Sequence, residues 1–142
     1  MAVHWKDVLR EQLQRHESFR AKPYRCSAGK LTIGFGRNLD DRGITSVEAQ
    51  FLLEQDIRET IRDLDRALPW WKELSNVRRR VLADMCFNMG LGRLLTFRKM
   101  LAALGAHDYM EAANEMEDSR WYHQVGTRAA RLVLMMRTDH DA

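Results

Sequence analysis

Three residues near the start of the chain have side chains suited to moving protons and water: Glu17, Cys26 and Thr32, which stand in the order Glu-x8-Cys-x5-Thr. A glutamic acid kept protonated by burial can deliver a proton to a leaving group near neutral pH. A thiol of ordinary pKa, about 8.5, is mostly neutral there. It becomes useful as a thiolate if a nearby cation lowers that pKa, or as a polar group that positions water. A threonine hydroxyl can hold that water. Each residue taken singly also has a plain structural explanation. Glu17 fits a solvated helix-end carboxylate, Cys26 a small apolar filler, and Thr32 an ordinary strand or bulge position.

The elements that must position them are legible from periodicity. Trp5, Val8, Leu9 and Leu13 recur at three- and four-residue steps and predict an amphipathic helix over 3–16, so Glu17 stands just past its end. Tyr24 to Cys26 and Leu31 to Phe35 read as two short strands, with Ser27, Ala28, Gly29 and Lys30 as turn material. In the second strand Leu31, Ile33 and Phe35 face one side, and Thr32, Gly34 and Gly36 the other. Bare glycine there lets a ligand approach the main chain closely. Cys26 and Thr32 share a face only across an odd loop. That predicts Ser27 opposite Leu31, a three-residue loop Ala28-Gly29-Lys30, and positive φ at Gly29.

Asn38 to Gly43 reads as a polar loop. Thr45-Ser46-Val47-Glu48 is a capping box, in which hydroxyl and carboxylate satisfy each other's helix-end amides. The helix it opens carries Leu53, Ile57, Ile61, Leu64 and Leu68 on one stripe until Pro69 stops it. Ser75 then caps a helix bearing Val77, Val81, Met85 and Met89 that Gly90 ends. A short helix over Leu94 to Leu104 closes at Gly105, Asp108 opens another to about Asp118, and 128–136 is the last. The expected fold is α+β in a single domain, 1–142. A small hairpin lobe (about 17–44) is joined by a long helix (about 45–68) to a larger helical lobe (1–16 and 69–142). The first helix is expected to rejoin that lobe, with a binding cleft between the two.

Composition bounds the rest. A chain of 142 residues and 16.7 kDa fits one domain, and 45% apolar with 30% charged residues is globular rather than disordered. Twenty-three Lys and Arg against 20 Asp and Glu give +3 and a pI near 9.1. Arg dominates, 18 to 5 Lys, which suits an anionic partner that so small a net charge does not identify. Two cysteines are too few for a disulfide scaffold and are not spaced as metal ligands, so a reducing compartment of synthesis is expected. The N-terminal stretch lacks the apolar run of a signal peptide, and no run of 18 apolar residues spans a membrane. Arg78-Arg79-Arg80 reads as solvated surface, and Cys86, Met89 and Met100 as core. Trp70-Trp71 reads as a helix–helix joint, His16 as a surface histidine, and the other histidines show no ligand spacing.

The spacing Glu17-x8-Cys26-x5-Thr32, running on as Thr32-Ile33-Gly34-Phe35-Gly36, resembles the phage-type lysozymes. Their pattern is Glu-x8-Asp-x5-Thr continued by Thr-Ile-Gly-x-Gly, and Tyr24 falls where that family has a tyrosine. Downstream, Phe87-Asn88-Met89-Gly90 followed by Phe97 is similar to its Phe-Gln-Met-Gly…Phe segment. Ser119-Arg120-Trp121-Tyr122-x-Gln124 and Arg128-Ala129-x-Arg131 match a further pair. The resemblance covers 17–131.

The resemblance implies a lysozyme-like fold and a muramidase that cleaves the β-1,4 bond between N-acetylmuramic acid and N-acetylglucosamine in peptidoglycan, with inversion and without cofactor or metal. It makes Glu17 the general acid, gives Cys26 and Thr32 the water, and has Arg128 orient Glu17. It sets Tyr24, Phe87 and Asn88 by the substrate. An arginine partner favours ionised glutamate, so desolvation must oppose it or substrate must loosen it. Cys26 departs from the common Asp, although a minority of phage lysozymes carry Glu-Cys-Thr. Arg37 stands in place of a histidine and Asn88 in place of a glutamine. The five residues between Arg37 and Gly43 leave out the extended loop of the T-even type, and with it contacts to distant sugar subsites.

The implied role is a monomeric endolysin held in the host cytoplasm and released by a holin to periplasmic peptidoglycan. Neither a nucleic-acid partner nor stable membrane association is expected. Two other chemistries stay open. Cys26 suits the nucleophile of a peptidoglycan amidase or peptidase, given a histidine base in space. A catalytically dead wall- or nucleic-acid-binding domain is the second.

Overall fold

The computed structural model describes residues 2–142. The chain divides into two compact units, the first ending at Phe51 and the second running Leu52–Ala142. The fold is α+β.

The first unit opens with α1 (Trp5–Glu17), which buries none of its residues. The His4 ring nitrogen accepts from the Lys6 amide at its start, and the Ser18 amide donates to the Gln14 carbonyl at its end. Three antiparallel strands follow in the order β1 (Arg20–Arg25), β2 (Leu31–Gly34) and β3 (Arg37–Asn38). Next comes the four-residue helix α2 (Leu39–Arg42), where the sequence suggested only loop. Asn38 explains it, because its side chain accepts from the Asp41 amide as an N-cap at 3.0 Å. α2 ties back to the hairpin, since Asp40 accepts the Leu31 amide at 2.7 Å.

The capping box is realised as the sequence predicted. The Thr45 amide donates to Glu48 Oε1 at 2.9 Å, and the Glu48 amide to Thr45 Oγ1 at 3.2 Å. It opens the long helix α3 (Ser46–Ala67). Glu48 also takes a bidentate pair from Arg37 on β3, at 2.8 and 2.6 Å, while Arg37 Nη1 donates to the Gly43 carbonyl. These bonds, the arginine first and the Thr45 amide second, hold the Glu48 carboxyl at about 2, against an ordinary 4.5.

A carboxyl depressed on folding contributes stability that is present above pH 4.5 and lost as pH falls through about 2. Arg37→Gln is therefore expected to lower the melting temperature at pH 7, with the gap from the parent closing between pH 4.5 and 2. Thermal scans across that range check this; an unchanged gap at pH 2 contradicts it. Added salt narrows the gap at pH 7, because the two side chains remain 27% and 38% exposed.

The second unit is built on helices. The stripe along α3 is buried only at its C-terminal end, at Leu64 and then at Leu68 beyond it, while Leu53, Ile57 and Ile61 stay partly open. Pro69 starts a 3-10 turn (Pro69–Glu73) that buries Trp71, whose indole donates to Asp65 at 2.8 Å, so the tryptophan pair does form a joint. Ser75 caps α4 (Asn76–Met89) as expected, and Gly90 ends it with φ +85. Then come α5 (Leu91–Leu94), α6 (Arg98–Gly105), α7 (Tyr109–Glu117), capped by Asp108, α8 (Arg120–Val125) and α9 (Thr127–Thr138). The helix α8 lay unread in the sequence, although Ser119 caps it.

Val81, Leu82, Met85 and Cys86 on α4 join Met100, Met116, Leu132, Val133 and Met136 in one core. Ala112, Ala113 and Ala129 are fully buried, and such small residues let helices pack closely.

The expectation that Arg78-Arg79-Arg80 is solvated surface holds for Arg80, which is exposed, and is corrected for Arg78 and Arg79. Arg78 stacks 3.9 Å over the Tyr109 ring and donates Nε to the Met136 carbonyl at 2.8 Å. It also satisfies the Arg137 carbonyl at the end of α9. Arg79 donates to the carbonyls of Lys72 and Leu74, and Arg80 pairs with Asp141. Orphan carbonyls at helix ends attract guanidinium groups, which explains the change of role. Among the described residues no helix is long and apolar enough to cross a membrane.

Candidate active site

The hairpin sets the first three residues. Tyr24 pairs directly with Thr32 and Arg25 with Leu31. The Cys26 amide donates to the Lys30 carbonyl at 3.0 Å, and the Gly29 amide to the Cys26 carbonyl at 2.8 Å. The loop is thus Ser27-Ala28-Gly29, with φ +77 at Gly29. An odd loop was expected and an odd loop is found, but one residue earlier than Ala28-Gly29-Lys30. The reason is local. A three-residue loop built on a turn places its positive-φ residue last, so Gly29 must close the loop rather than centre it.

Side chains alternate along a strand, and directly paired residues share a face. Tyr24, Cys26 and Thr32 therefore lie on one face of the hairpin. Thr32 is 3% exposed, and its hydroxyl donates to the Lys30 carbonyl at 2.9 Å. The Cys26 thiol is held below its ordinary 9.0. The amide of Lys30 is the largest cause, with that of Ala28 next; partial burial opposes them, and the Thr32 hydroxyl adds to the lowering. Hydrogen bonds aimed at sulfur favour the thiolate. Cys86, by contrast, is buried among apolar neighbours that push its thiol up.

Glu17 is the last residue of α1 and is exposed, so the burial expected of the proton donor is not found. Its carboxyl lies against Gly36, at the turn between β2 and β3. A Cβ built on that glycine falls 2.7 Å from Glu17 Oε2. The sequence marked this glycine as bare backbone open to a ligand; here the group that approaches it is Glu17. Tyr24 is half-buried, and Arg20 stacks over its ring at 4.4 Å.

The other expected site residues belong to the second unit. Phe87 and Arg128 line one apolar groove of about 550 Å³ together with Leu53, Ile57, Ile61 and Leu132. Arg128 holds Asp84 through Nε at 2.8 Å and Nη2 at 2.6 Å. Asp84 was missed at the sequence level because a lone acidic residue in a helix carries no local signal. Asn88 accepts from the Trp121 indole at 3.1 Å. Among the described residues no group of three His, Cys, Asp or Glu is gathered to hold a metal ion.

The profile of the family described as phage lysozyme matches residues 14–138. The chain belongs to the phage lysozyme family, a family of lysozyme-type glycoside hydrolases. It is 26% identical over 159 residues to probable T4-type lysozyme 1 of Dictyostelium discoideum, covering 92% of this chain and 94% of that one. It is 29% identical over 107 residues to the endolysin of Acyrthosiphon pisum secondary endosymbiont phage 1, covering 72% and 70%. A 29% match over 158 residues joins it to the pre-baseplate central spike protein Gp5 of Enterobacteria phage T4. There it covers 92% of this chain and spans only 28% of the longer protein.

Proposed function

We propose that this phage lysozyme family member hydrolyses peptidoglycan at the β-1,4 bond between N-acetylmuramic acid and N-acetylglucosamine, with Glu17 as general acid and Cys26 and Thr32 handling the attacking water. Glu17 gives its proton to the glycosidic oxygen as that bond breaks and the sugar ring takes on oxocarbenium character. Water adds to the anomeric carbon from the opposite side and loses its proton to the Cys26 thiolate, so the product is inverted. The Thr32 hydroxyl holds the water. Glu17 then regains a proton and Cys26 loses one through solvent.

The observation that carries this reading is the placement of Cys26 and Thr32 on one hairpin face, with the lowered thiol as support. A thiol shifted in that direction favours the thiolate, the form that can take a proton where the common family pattern has a carboxylate. The groups acting on it are amides and a hydroxyl rather than the histidine that a thiol nucleophile uses. The roles of Arg128 for the glutamate, and of Tyr24, Phe87 and Asn88 for the sugar, belong to the same proposal, as does cleavage without a cofactor.

The biological reading is a monomeric endolysin, accumulating in the host cytoplasm and reaching the wall through a holin, with no nucleic-acid partner. The first unit supports attraction to an anionic wall. Through Phe51 it holds nine Lys and Arg against six Asp and Glu, which accounts for the whole net +3.

Product analysis on chloroform-permeabilised Gram-negative cells tests the reading. Clearing with release of new reducing ends is expected. Release of amines without reducing ends would assign an amidase or peptidase instead, and no release at all would mark a binding domain.

A further inference from the structure

We infer that Gly36 is a positioning residue for the proton donor, because its missing side chain is the seat on which the Glu17 carboxyl rests. The inference depends on the reading of Glu17 as general acid. Six glycines among the described residues have positive φ, and at five of them a Cβ would meet nothing within 4 Å. Their requirement is one of backbone conformation alone. Gly36, at φ +78, differs. Its Cβ would fall 2.7 Å from Oε2, 2.8 Å from Cδ and 3.2 Å from Cγ of Glu17. Three successive atoms of the acid thus lie over one bare Cα.

Ordinary contact begins at 3.4 Å, so a methyl at this position forces the carboxyl oxygen away by at least 0.7 Å, the difference between 3.4 and 2.7 Å. Glu17 gives way rather than the backbone, because its carboxyl is the free end of an exposed side chain. A general acid must stand within hydrogen-bond reach of the oxygen it protonates. Displacement on this scale costs on the order of 10²-fold in rate. The same glycine therefore answers to two demands, a positive φ at the β2–β3 turn and room for the acid.

Gly36→Ala tests this against Gly43→Ala, which bears a backbone strain at φ +59 with nothing within 4 Å. Rates are measured on soluble peptidoglycan fragments. Gly36→Ala is expected to lower kcat by about 100-fold with KM near the parent value, while its melting temperature falls no further than that of Gly43→Ala. A kcat loss no larger than that of Gly43→Ala overturns the inference, as does a loss expressed in KM. If Gly36→Ala does not fold, Glu17→Ala is added to it. Folding restored by removing the obstructing atoms supports the seat, and a chain still unfolded overturns it. Glu17→Gln alone separates the premise from the inference: an active Glu17→Gln removes the acid assignment, whereas an inactive one beside a fully active Gly36→Ala removes only the seat.

Discussion

Glu17→Gln is expected to lower the rate of wall cleavage by roughly 10²–10⁴-fold, the range that a positioned general acid supplies. The amide keeps the size and shape of the carboxyl, so it can rest on Gly36 as the acid does. What it lacks is a proton to give to the leaving oxygen. Because the side chain is exposed, the variant should keep the parent's stability to within about 0.5 kcal/mol. Rate and melting temperature measured on one preparation separate chemistry from folding. A variant of parental activity would remove Glu17 from the mechanism, and a large loss of stability would show that it acts through the fold.

Alkylation of Cys26 with iodoacetamide is expected to abolish turnover, with a loss of about 10²-fold or more if the thiolate is the base that receives the water's proton. The thiolate is the species that reacts, so the pH dependence of alkylation reports its formation. Its midpoint should lie below the ordinary 9.0, because the amides of Lys30 and Ala28 and the Thr32 hydroxyl favour the charged form. Cys86 should stay unreacted in the folded protein, since it is buried and its thiol is pushed up. Cys86→Ala should therefore leave the inactivation unchanged. Inactivation that disappears in Cys86→Ala, or an alkylated enzyme that still turns over, would take Cys26 out of the reaction. Cys26→Asp, which restores the family's common carboxylate, should retain activity and resist the reagent.

The hairpin shows how far reading the chain could go. Parity along the strands put Cys26 and Thr32 on one face, and the structure has them there with Tyr24. The loop came out one residue early, because turn geometry decides which loop position bears positive φ, and parity does not. The helix caps at Thr45, Ser75 and Asp108 were all legible. Each depends on two groups three residues apart, a distance within which the chain has few alternatives. The short α2 was not, since four residues carry no periodicity.

Other roles could not be read because their partners are remote in the chain. Arg78 reads as surface until α9 brings the Met136 carbonyl to it, 58 residues later. Arg128 carries no sign that Asp84, 44 residues earlier, will hold it. Gly36 reads as an open strand glycine until α1 delivers Glu17 across 19 residues.

By itself, then, the sequence determined the longer elements, the caps at Thr45, Ser75 and Asp108, the shared face of Cys26 and Thr32 and the family resemblance. All of these rest on spacing within a few residues or on order along the chain. Only the tertiary structure decided what each charged group touches: the amides lowering Cys26, the glycine beneath Glu17, the carboxylates on Arg37 and Arg128. A charge in water pairs weakly with any opposite neighbour. Which pairing survives depends on the packing that excludes the others, and that packing belongs to the folded chain as a whole.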